Sequence, residues 1–247
     1  MHITDPHLFA DAAADLRGRV TLQSLQRVLD HVRSSQWAAD IVAMTGDLIQ
    51  DDSAEAYQRF CELFSALGVP IHCVPGNHDV RSLMQRALQR QGFHYCESVR
   101  IHSWLIVGID SCLAGDAGGE VKRNEMENLR ATLDATDAPN VLICLHHPPL
   151  PVGSKWLDGV GLKNADAFLE LICQYPHVRG AIFGHVHQAF DTTHEGVRII
   201  GTPSTCRQFK IHSDEFALDD QPPAYRRLSL LDDGAIEEEL IWLTASK

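Results

Sequence analysis

The chain repeats one pattern: a short apolar segment runs directly into a cluster of polar side chains. Four such segments have the length of a buried strand, namely IVAMT (41–45), IHCV (71–74), VLICL (141–145) and GAIF (180–183). The polar residues that follow them are Asp47, then Asn77 and His78, then His146 and His147, then His185 and His187. A shorter first strand ends in the same way, at Asp5 and His7. Because ligands bind outside the carboxyl ends of strands in open α/β sheets, these five ends predict one converging site.

Segments with helical spacing alternate with these strands. Apolar residues recur every three or four positions within 17–35 and 51–68, where Asp52, three residues before Glu55, indicates a helix start. Further helices are expected near 81–91, 123–135 and 164–175, and further strands near 104–110, 197–201, 226–231 and 236–242. This order of elements predicts an α/β sandwich in which the last strands complete a second sheet.

The length, net charge and histidine content indicate the number of domains and the kinds of partner. The 247 residues contain no repeat, low-complexity tract or obvious linker, so we expect a single domain over 1–247. A formal net charge of −12 without a basic cluster argues against nucleic acid as a partner. The 14 histidines are unusually many and favour metal binding.

The sequence also indicates a compartment. The longest uninterrupted apolar run, 104–109, is far too short to span a membrane. The start MHITD shows neither the basic region nor the apolar stretch of a signal peptide. Seven scattered cysteines without a Cys-x-x-Cys pair indicate reduced thiols rather than a disulfide framework. We therefore expect a cytoplasmic protein without a membrane contact.

The converging side chains have the chemistry of metal ligands. Seven are candidates: Asp5, His7, Asp47, Asn77, His146, His185 and His187. A single zinc site takes about four protein ligands or fewer, whereas seven suit two ions about 3.5–4 Å apart that share a carboxylate. Oxygen and imidazole ligands without thiolate favour iron or manganese, with zinc or cobalt as alternatives, in divalent or trivalent form.

Two metal ions beside two carboxylates predict hydrolysis of a phosphodiester. The ions leave a net positive charge that suits an anionic diester, and a metal-bound hydroxide is the expected nucleophile. His78 is not needed as a ligand, so we expect it to contact the phosphate and to protonate or assist the leaving oxygen. Asn77 and His187 are expected to bind substrate beside it.

Five motifs, in order, resemble those of the calcineurin-like metallophosphoesterases: Asp5-x-His7, Gly46-Asp47, Gly76-Asn77-His78-Asp79, His146-x-Pro148 and Gly184-His185-x-His187. The resemblance implies a four-layer α/β/β/α sandwich of two mixed sheets flanked by helices. It implies two metal sites that share Asp47, one completed by Asp5, His7 and His187, the other by Asn77, His146 and His185. Only four residues precede Asp5, fewer than is usual in the family, so we expect a frayed first strand or a start further upstream.

Two further stretches, 146–168 and 201–209, resemble the bacterial 3′,5′-cyclic AMP phosphodiesterases. This resemblance implies a cyclic nucleotide as the small-molecule substrate, with cyclic AMP hydrolysed to 5′-AMP. It also allows a homodimer, since close relatives include dimers. One alternative is a broad-specificity phosphodiesterase acting on glycerophosphodiesters or 2′,3′-cyclic nucleotides. An alternative of another class is a non-catalytic metal-binding regulatory protein.

Neighbouring residues are expected to have ordinary structural roles. Asp79 should hold the turn after the second strand, and Asp51 should help to begin the next helix rather than orient His78. His147 should pack behind the site. Trp156 should cover the core, with stacking on a nucleobase as the alternative. Arg207 and Lys210 should lie on a solvated loop, with steering of a phosphate as the alternative.

Overall fold

The computed structural model describes residues 1–243, in which strands alternate with helices. The strands are β1 (His2–Ile3), β2 (Asp15–Leu16), β3 (Arg19–Val20), β4 (Val42–Thr45), β5 (Ile71–Val74), β6 (Phe93–Tyr95), β7 (Ser98–Ile101), β8 (Trp104–Gly108), β9 (Asn140–Cys144), β10 (Val178–Phe183), β11 (Phe190–His194), β12 (Val197–Gly201), β13 (Gln208–Phe209), β14 (Leu218–Asp219), β15 (Ala224–Leu230) and β16 (Ile236–Trp242). The helices are α1 (Thr21–Ser34), α2 (Ala54–Ser65), α3 (Arg81–Ala87), α4 (Arg123–Ala135), α5 (Lys155–Asp158) and α6 (Ala165–Cys173).

Twelve of these strands form two mixed sheets of six. The strand order is β16-β15-β1-β4-β5-β6 in the first sheet and β11-β12-β10-β9-β8-β7 in the second. The first sheet is parallel from β1 to β6, and β15 pairs antiparallel with both β1 and β16. The second sheet is parallel from β8 through β9 and β10 to β12, with β7 and β11 antiparallel at its edges. The α/β class and the two mixed sheets are confirmed.

Buried apolar side chains separate the sheets and helices into layers. One cluster, which includes Leu25, Met44 and Phe60, lies between the first sheet and helices α1 to α3. A second, which includes Trp104 and Ile182, lies between the two sheets. A third cluster packs α4 and α6 on the second sheet. Each fully buried large apolar side chain contributes about 1.5–3 kcal/mol, so these three layers hold the sheets in fixed relation.

Two sequence expectations about the sheets need correction. The strands near 226–231 and 236–242 do not complete the second sheet: β15 and β16 extend the first one, because β15 pairs with the free side of β1. The first strand is short but not frayed, because His2 and Ile3 are fully buried and β1 pairs with β15 along one edge and with β4 along the other.

Helix limits also differ from the sequence prediction. The cap of α2 is Ser53, whose hydroxyl accepts a hydrogen bond from the Ala56 amide, and not Asp52. Helix α3 ends at Ala87, before the expected limit of 91. The hairpin β2–β3, the pair β13–β14 and helix α5 were not predicted, because elements of two to four residues show no readable periodicity. Among the described residues, no helix is long and apolar enough to cross a membrane.

Candidate metal centre

The seven predicted ligands lie together at the carboxyl ends of five central strands. Asp5 and His7 follow β1, Asp47 follows β4, Asn77 follows β5, His146 follows β9, and His185 and His187 follow β10. Six of the seven are buried, and Asn77 is partly exposed. Both sheets therefore supply side chains to one site, as the pattern of strand ends predicted.

The backbone at this site is unusual. Five of the seven residues have a positive φ: Asp5 at 52°, His7 at 46°, Asp47 at 51°, His185 at 68° and His187 at 48°. Residues other than glycine rarely adopt this conformation, which costs on the order of 1–3 kcal/mol each. The turns are held by hydrogen bonds between the strand ends, such as Asp5 N to Gly46 O at 3.1 Å and His7 N to Asp47 O at 3.0 Å. Such strain clusters at functional sites.

Four of the side chains form a first donor set, made of Asp5 Oδ1, His7 Nε2, Asp47 Oδ2 and His187 Nε2. His187 Nε2 lies 3.4 Å from Asp5 Oδ1 and 3.1 Å from His7 Nε2. His7 Nε2 lies 3.7 Å from Asp47 Oδ2. Atoms bound to one ion at about 2.0–2.2 Å are separated by roughly these distances, so the first donor set fits a metal ion.

A second donor set consists of Asp47 Oδ2, Asn77 Oδ1, His146 Nε2 and His185 Nδ1. His146 Nε2 lies 3.1 Å from Asn77 Oδ1, 3.5 Å from Asp47 Oδ2 and 3.2 Å from His185 Nδ1. His185 Nδ1 lies 2.9 Å from Asn77 Oδ1. Asp47 Oδ2 belongs to both sets, which is the arrangement of a carboxylate that bridges two ions.

Hydrogen bonds outside the donor sets orient the imidazoles. His146 Nδ1 donates to the Thr45 carbonyl at 2.7 Å, and His187 Nδ1 donates to the Arg207 carbonyl at 2.5 Å. Each bond uses Nδ1 as the donor, so Nε2 is the nitrogen that faces the donor set and that would bind an ion. Asp5 accepts from the Thr4 hydroxyl at 2.6 Å. These contacts fix the ligand atoms before any ion binds.

The electrostatics favour a cation. Burial opposes ionisation of Asp5 and Asp47, but the neighbouring histidines outweigh it and lower the pKa of both carboxyls. Burial lowers the pKa of His7 to about 4 and that of His185 well below its usual value. Burial also opposes protonation of His146, yet Asp47 and Asp5 raise its pKa to about 9. Metal ions bind ionised carboxylates and neutral imidazoles. Asp5, Asp47, His7 and His185 are held in these forms, whereas His146 would release a proton when an ion binds.

Glycines allow the strand ends to approach one another. A Cβ on Gly76 would overlap the side chain and backbone nitrogen of Asp47, and one on Gly184 would overlap the Thr4 hydroxyl. The close packing of these turns explains why glycine precedes Asn77 and His185 in the motifs.

His78 lies beside the first donor set without belonging to it. Its ring centroid is 5.1 Å from that of His7, and its side chain is partly exposed to the cavity. Gln50 Nε2 donates to His78 Nδ1 at 3.1 Å, so the ring proton lies on Nε2. Sequence reasoning missed Gln50, whose only signal was its position three residues after Asp47.

Asp79 holds the turn, as predicted. It accepts hydrogen bonds from the Gly76 amide at 2.8 Å, the Leu48 amide at 3.2 Å and the Tyr57 hydroxyl at 2.9 Å. Burial and the nearby Asp47 charge raise the pKa of Asp79 to about 7.

Four other expectations can be compared with the structure. Asp51 contacts the Ser53 hydroxyl at 2.6 Å, in agreement with its expected role at the start of α2. His147 has both ring nitrogens occupied, by the Ser111 hydroxyl at 2.9 Å and the Ala117 carbonyl at 3.1 Å, and so packs behind the site. The expected solvated position of Arg207 is wrong: its side chain is only 19% exposed and lines the cavity over the donor sets. Its backbone is held there because its carbonyl accepts the hydrogen bond from His187 Nδ1. Trp156 packs at the edge of the second-sheet cluster and also lines this cavity.

Comparison with known proteins identifies the class. A family model described as calcineurin-like phosphoesterase matches residues 1–189, more than half of the chain, and the chain belongs to this family. Membership implies a dinuclear metal site, in agreement with the clustered carboxylates and histidines.

Individual relatives are similar to the chain over almost its whole length. The chain is 38% identical over 238 residues to the 3′,5′-cyclic adenosine monophosphate phosphodiesterase CpdA of Pseudomonas aeruginosa, covering 96% of this chain and 87% of the relative. It is 39% identical over 241 residues to the CpdA of Escherichia coli (strain K12), covering 97% and 88%. The solved structure of a dimetal phosphatase from Danio rerio superimposes on this chain with a TM-score of 0.68 at 19% sequence identity, over 99% of this chain and 98% of that one. This similarity shows that the two proteins share a fold.

Proposed function

We propose that this chain is a metal-dependent phosphodiesterase that hydrolyses 3′,5′-cyclic AMP to 5′-AMP. The observation that carries the proposal is the shared carboxylate: Asp47 Oδ2 lies 3.7 Å from His7 Nε2 on one side and 3.5 Å from His146 Nε2 on the other. The names of relatives at 38–39% identity support cyclic AMP as the substrate.

In this proposal each donor set holds one metal ion. Asp5, His7 and His187 belong to one ion, and Asn77, His146 and His185 to the other, with Asp47 between them. Iron or manganese suits this mixture of oxygen and imidazole, and zinc or cobalt remains an alternative. When bound, the ions would polarise the phosphate and lower the pKa of a water molecule.

The side chains around the ions would bind the diester and move its protons. Asn77 and His187 line the cavity beside His78, where the phosphate oxygens would lie. Gln50 holds the His78 ring with its proton on Nε2. From that atom, His78 would donate a hydrogen bond to the leaving 3′-oxygen and assist its departure.

We also propose that the protein acts in the cytoplasm. All seven cysteines are free thiols, and burial raises the pKa of Cys61 to about 11 and of Cys144 to about 12. Unpaired, protonated thiols are typical of proteins from a reducing compartment.

A substrate panel tests the proposed function. The protein is stripped with a chelator and reloaded with manganese or iron, and kcat/KM is measured for 3′,5′-cyclic AMP, 2′,3′-cyclic AMP and glycerophosphocholine. We expect a clear preference for 3′,5′-cyclic AMP that the chelator abolishes. Equal activity on the three substrates would favour the broad-specificity alternative. Two bound metals without activity on any diester would favour the non-catalytic regulatory protein.

A further inference from the structure

The cavity over the donor sets has two chemically different ends. Its volume is about 250 Å³. One end is lined by metal-centre side chains such as His7, Asp47 and Asn77, and the other by apolar side chains such as Leu157 and Val160. Only the first end is needed to bind a phosphate and its ions. The apolar end is therefore free to contact another part of a ligand.

Three aromatic rings, which we call the aromatic wall, dominate the apolar end: Trp156, Phe209 and Phe216. Trp156 contacts Phe209 at 5.1 Å and Phe216 at 5.2 Å between centroids, with interplanar angles of 73° and 74°. Phe209 contacts Phe216 at 5.5 Å and 68°. These edge-to-face contacts fix the three rings relative to one another.

The aromatic wall is attached directly to the metal centre. Phe209 stacks on the ligand His187 at 4.2 Å with an interplanar angle of 9°. One face of Phe209 is therefore already occupied. A face of Phe216 is likewise covered, by the Arg17 guanidinium at 4.3 Å from its centroid. Trp156 carries no such cover, and its buried indole N–H has no hydrogen-bond partner among the described residues.

The aromatic wall leaves one large apolar ring exposed to solvent. Phe216 is 43% exposed, although phenylalanine is among the residues most often buried. The rings lie on two segments outside the two main sheets: Phe209 and Phe216 on the segment from β13 to β14, and Trp156 on α5. Arg17 adds a third segment, the tip of the β2–β3 hairpin. Segments that converge on a site from a rigid scaffold commonly determine specificity.

We propose that Trp156 and Phe216 bind the adenine base of cyclic AMP, with Phe209 linking this base site to His187. This inference rests on the proposed function, since it takes cyclic AMP as the substrate. A purine is flat and has a π face, and aromatic side chains bind such faces by stacking. The base site lies in the same cavity as the donor sets, so one molecule can place its phosphate at the ions and its base on the wall.

The test compares cyclic AMP with methyl riboside 3′,5′-cyclic phosphate, which has the same reacting group but no base. Trp156→Ala and Phe216→Ala are made in the full chain and loaded with manganese. We expect each substitution to lower kcat/KM for cyclic AMP by roughly 10- to 100-fold and to leave the abasic diester almost unchanged. Trp156→Phe, which keeps a ring, should retain more activity than Trp156→Ala. Ile211→Ala is the matched control, because Ile211 lies on the same segment, is 53% exposed and does not line this cavity.

A binding measurement separates this inference from the proposed function. Calorimetric Kd values for 5′-AMP and ribose 5-phosphate are measured with the same variants, and thermal unfolding confirms that each is folded. Weaker binding of 5′-AMP alone supports the base site, even if cyclic AMP is not hydrolysed. Equal losses for both ligands, or no loss for either, would overturn the base site while leaving hydrolysis of cyclic AMP intact.

Discussion

At the scale of single residues, the strand ends bring seven candidate ligand side chains together, and five of the seven have a positive φ. The positive φ values at Asp5, His7 and Asp47 are maintained because the neighbouring turns hydrogen-bond to one another. Replacing different residues of the site should therefore change different quantities, such as kcat or metal content.

His78→Ala should lower kcat for cyclic AMP by about 10²- to 10⁴-fold, because the leaving oxygen loses its proton donor. Metal content should stay unchanged, since His78 lies outside both donor sets. Elemental analysis and steady-state kinetics measure the two quantities. His94→Ala serves as control, because His94 contacts Glu97, belongs to neither donor set and does not line the cavity. Normal turnover in His78→Ala would remove His78 from the mechanism.

Asn77→Ala should reduce the metal content of the purified protein by about one ion, because the second donor set loses one of its four atoms. That atom, Asn77 Oδ1, lies 2.9 Å from His185 Nδ1 and 3.1 Å from His146 Nε2. Elemental analysis after dialysis measures the change. Asn124→Ala, at an exposed position in α4, is the matched control. An unchanged metal count would reject the assignment of Asn77 as a ligand.

Gly76→Ala should impair metal binding and activity without replacing any candidate ligand. Its Cβ would overlap Asp47, so the bridging carboxylate would have to move. We expect kcat/KM to fall at least roughly 10-fold, as is typical when a reacting geometry is displaced by about 1 Å. Gly159→Ala is the control, because φ there is −72° and the nearest atom to the new Cβ is 3.4 Å away. Similar kinetics in both variants would contradict the prediction.

At the scale of elements, the helices and central strands were readable from the sequence because they are long enough to show a period. Helix α4 (123–135) and strand β16 (236–242) match their predicted limits. The hairpin that carries Arg17 and the segment that carries Phe209 were not readable, since their strands have two residues each. The aromatic wall depends on contacts between residues far apart in the chain, and no local pattern encodes those.

Ser53→Ala should lower the free energy of unfolding by about 1 kcal/mol, because the Ala56 amide at the start of α2 loses its acceptor. Urea unfolding of the chelated protein measures the change. Ser65→Ala makes the same substitution at an exposed position in the last turn of α2, where no cap is lost, and should have a smaller effect. A loss of equal size at Ser65 would contradict the capping role.

At the scale of the whole molecule, the family motifs predicted the architecture and the ligand constellation together. Each motif lies just after a strand, so the topology of the sheets determined which residues would meet. The side on which β15 and β16 pair could not be read, because the pairing of β15 with β1 joins residues more than 200 positions apart, such as His2 and Arg226. A single domain over 1–247 and a homodimer stay predictions.

Acid should destabilise the fold through buried histidines. Burial lowers the pKa of His72, whose Nε2 donates to the Glu97 carbonyl at 2.6 Å. The folded state then keeps His72 neutral while the unfolded chain takes up a proton below about pH 6.5, so stability falls as the pH drops through that value. Urea unfolding of the chelated protein measures the free energy of unfolding at pH 7.5 and at about pH 5.5. The decrease between these two pH values should be smaller by about 1 kcal/mol in His72→Gln than in the wild type. Identical losses would rule out this contribution.

The donor sets draw on both sheets: Asp5, His7, Asp47 and Asn77 follow strands of the first, and His146, His185 and His187 follow strands of the second. Two ions held in this way would act as cross-links between layers that are otherwise joined by side-chain packing. Ligands that bind only the folded state protect it by mass action. A chain made when metal is scarce would thus be cleaved by proteases more readily than a loaded one, and the cell's supply of metal would set the amount of protein as well as its activity.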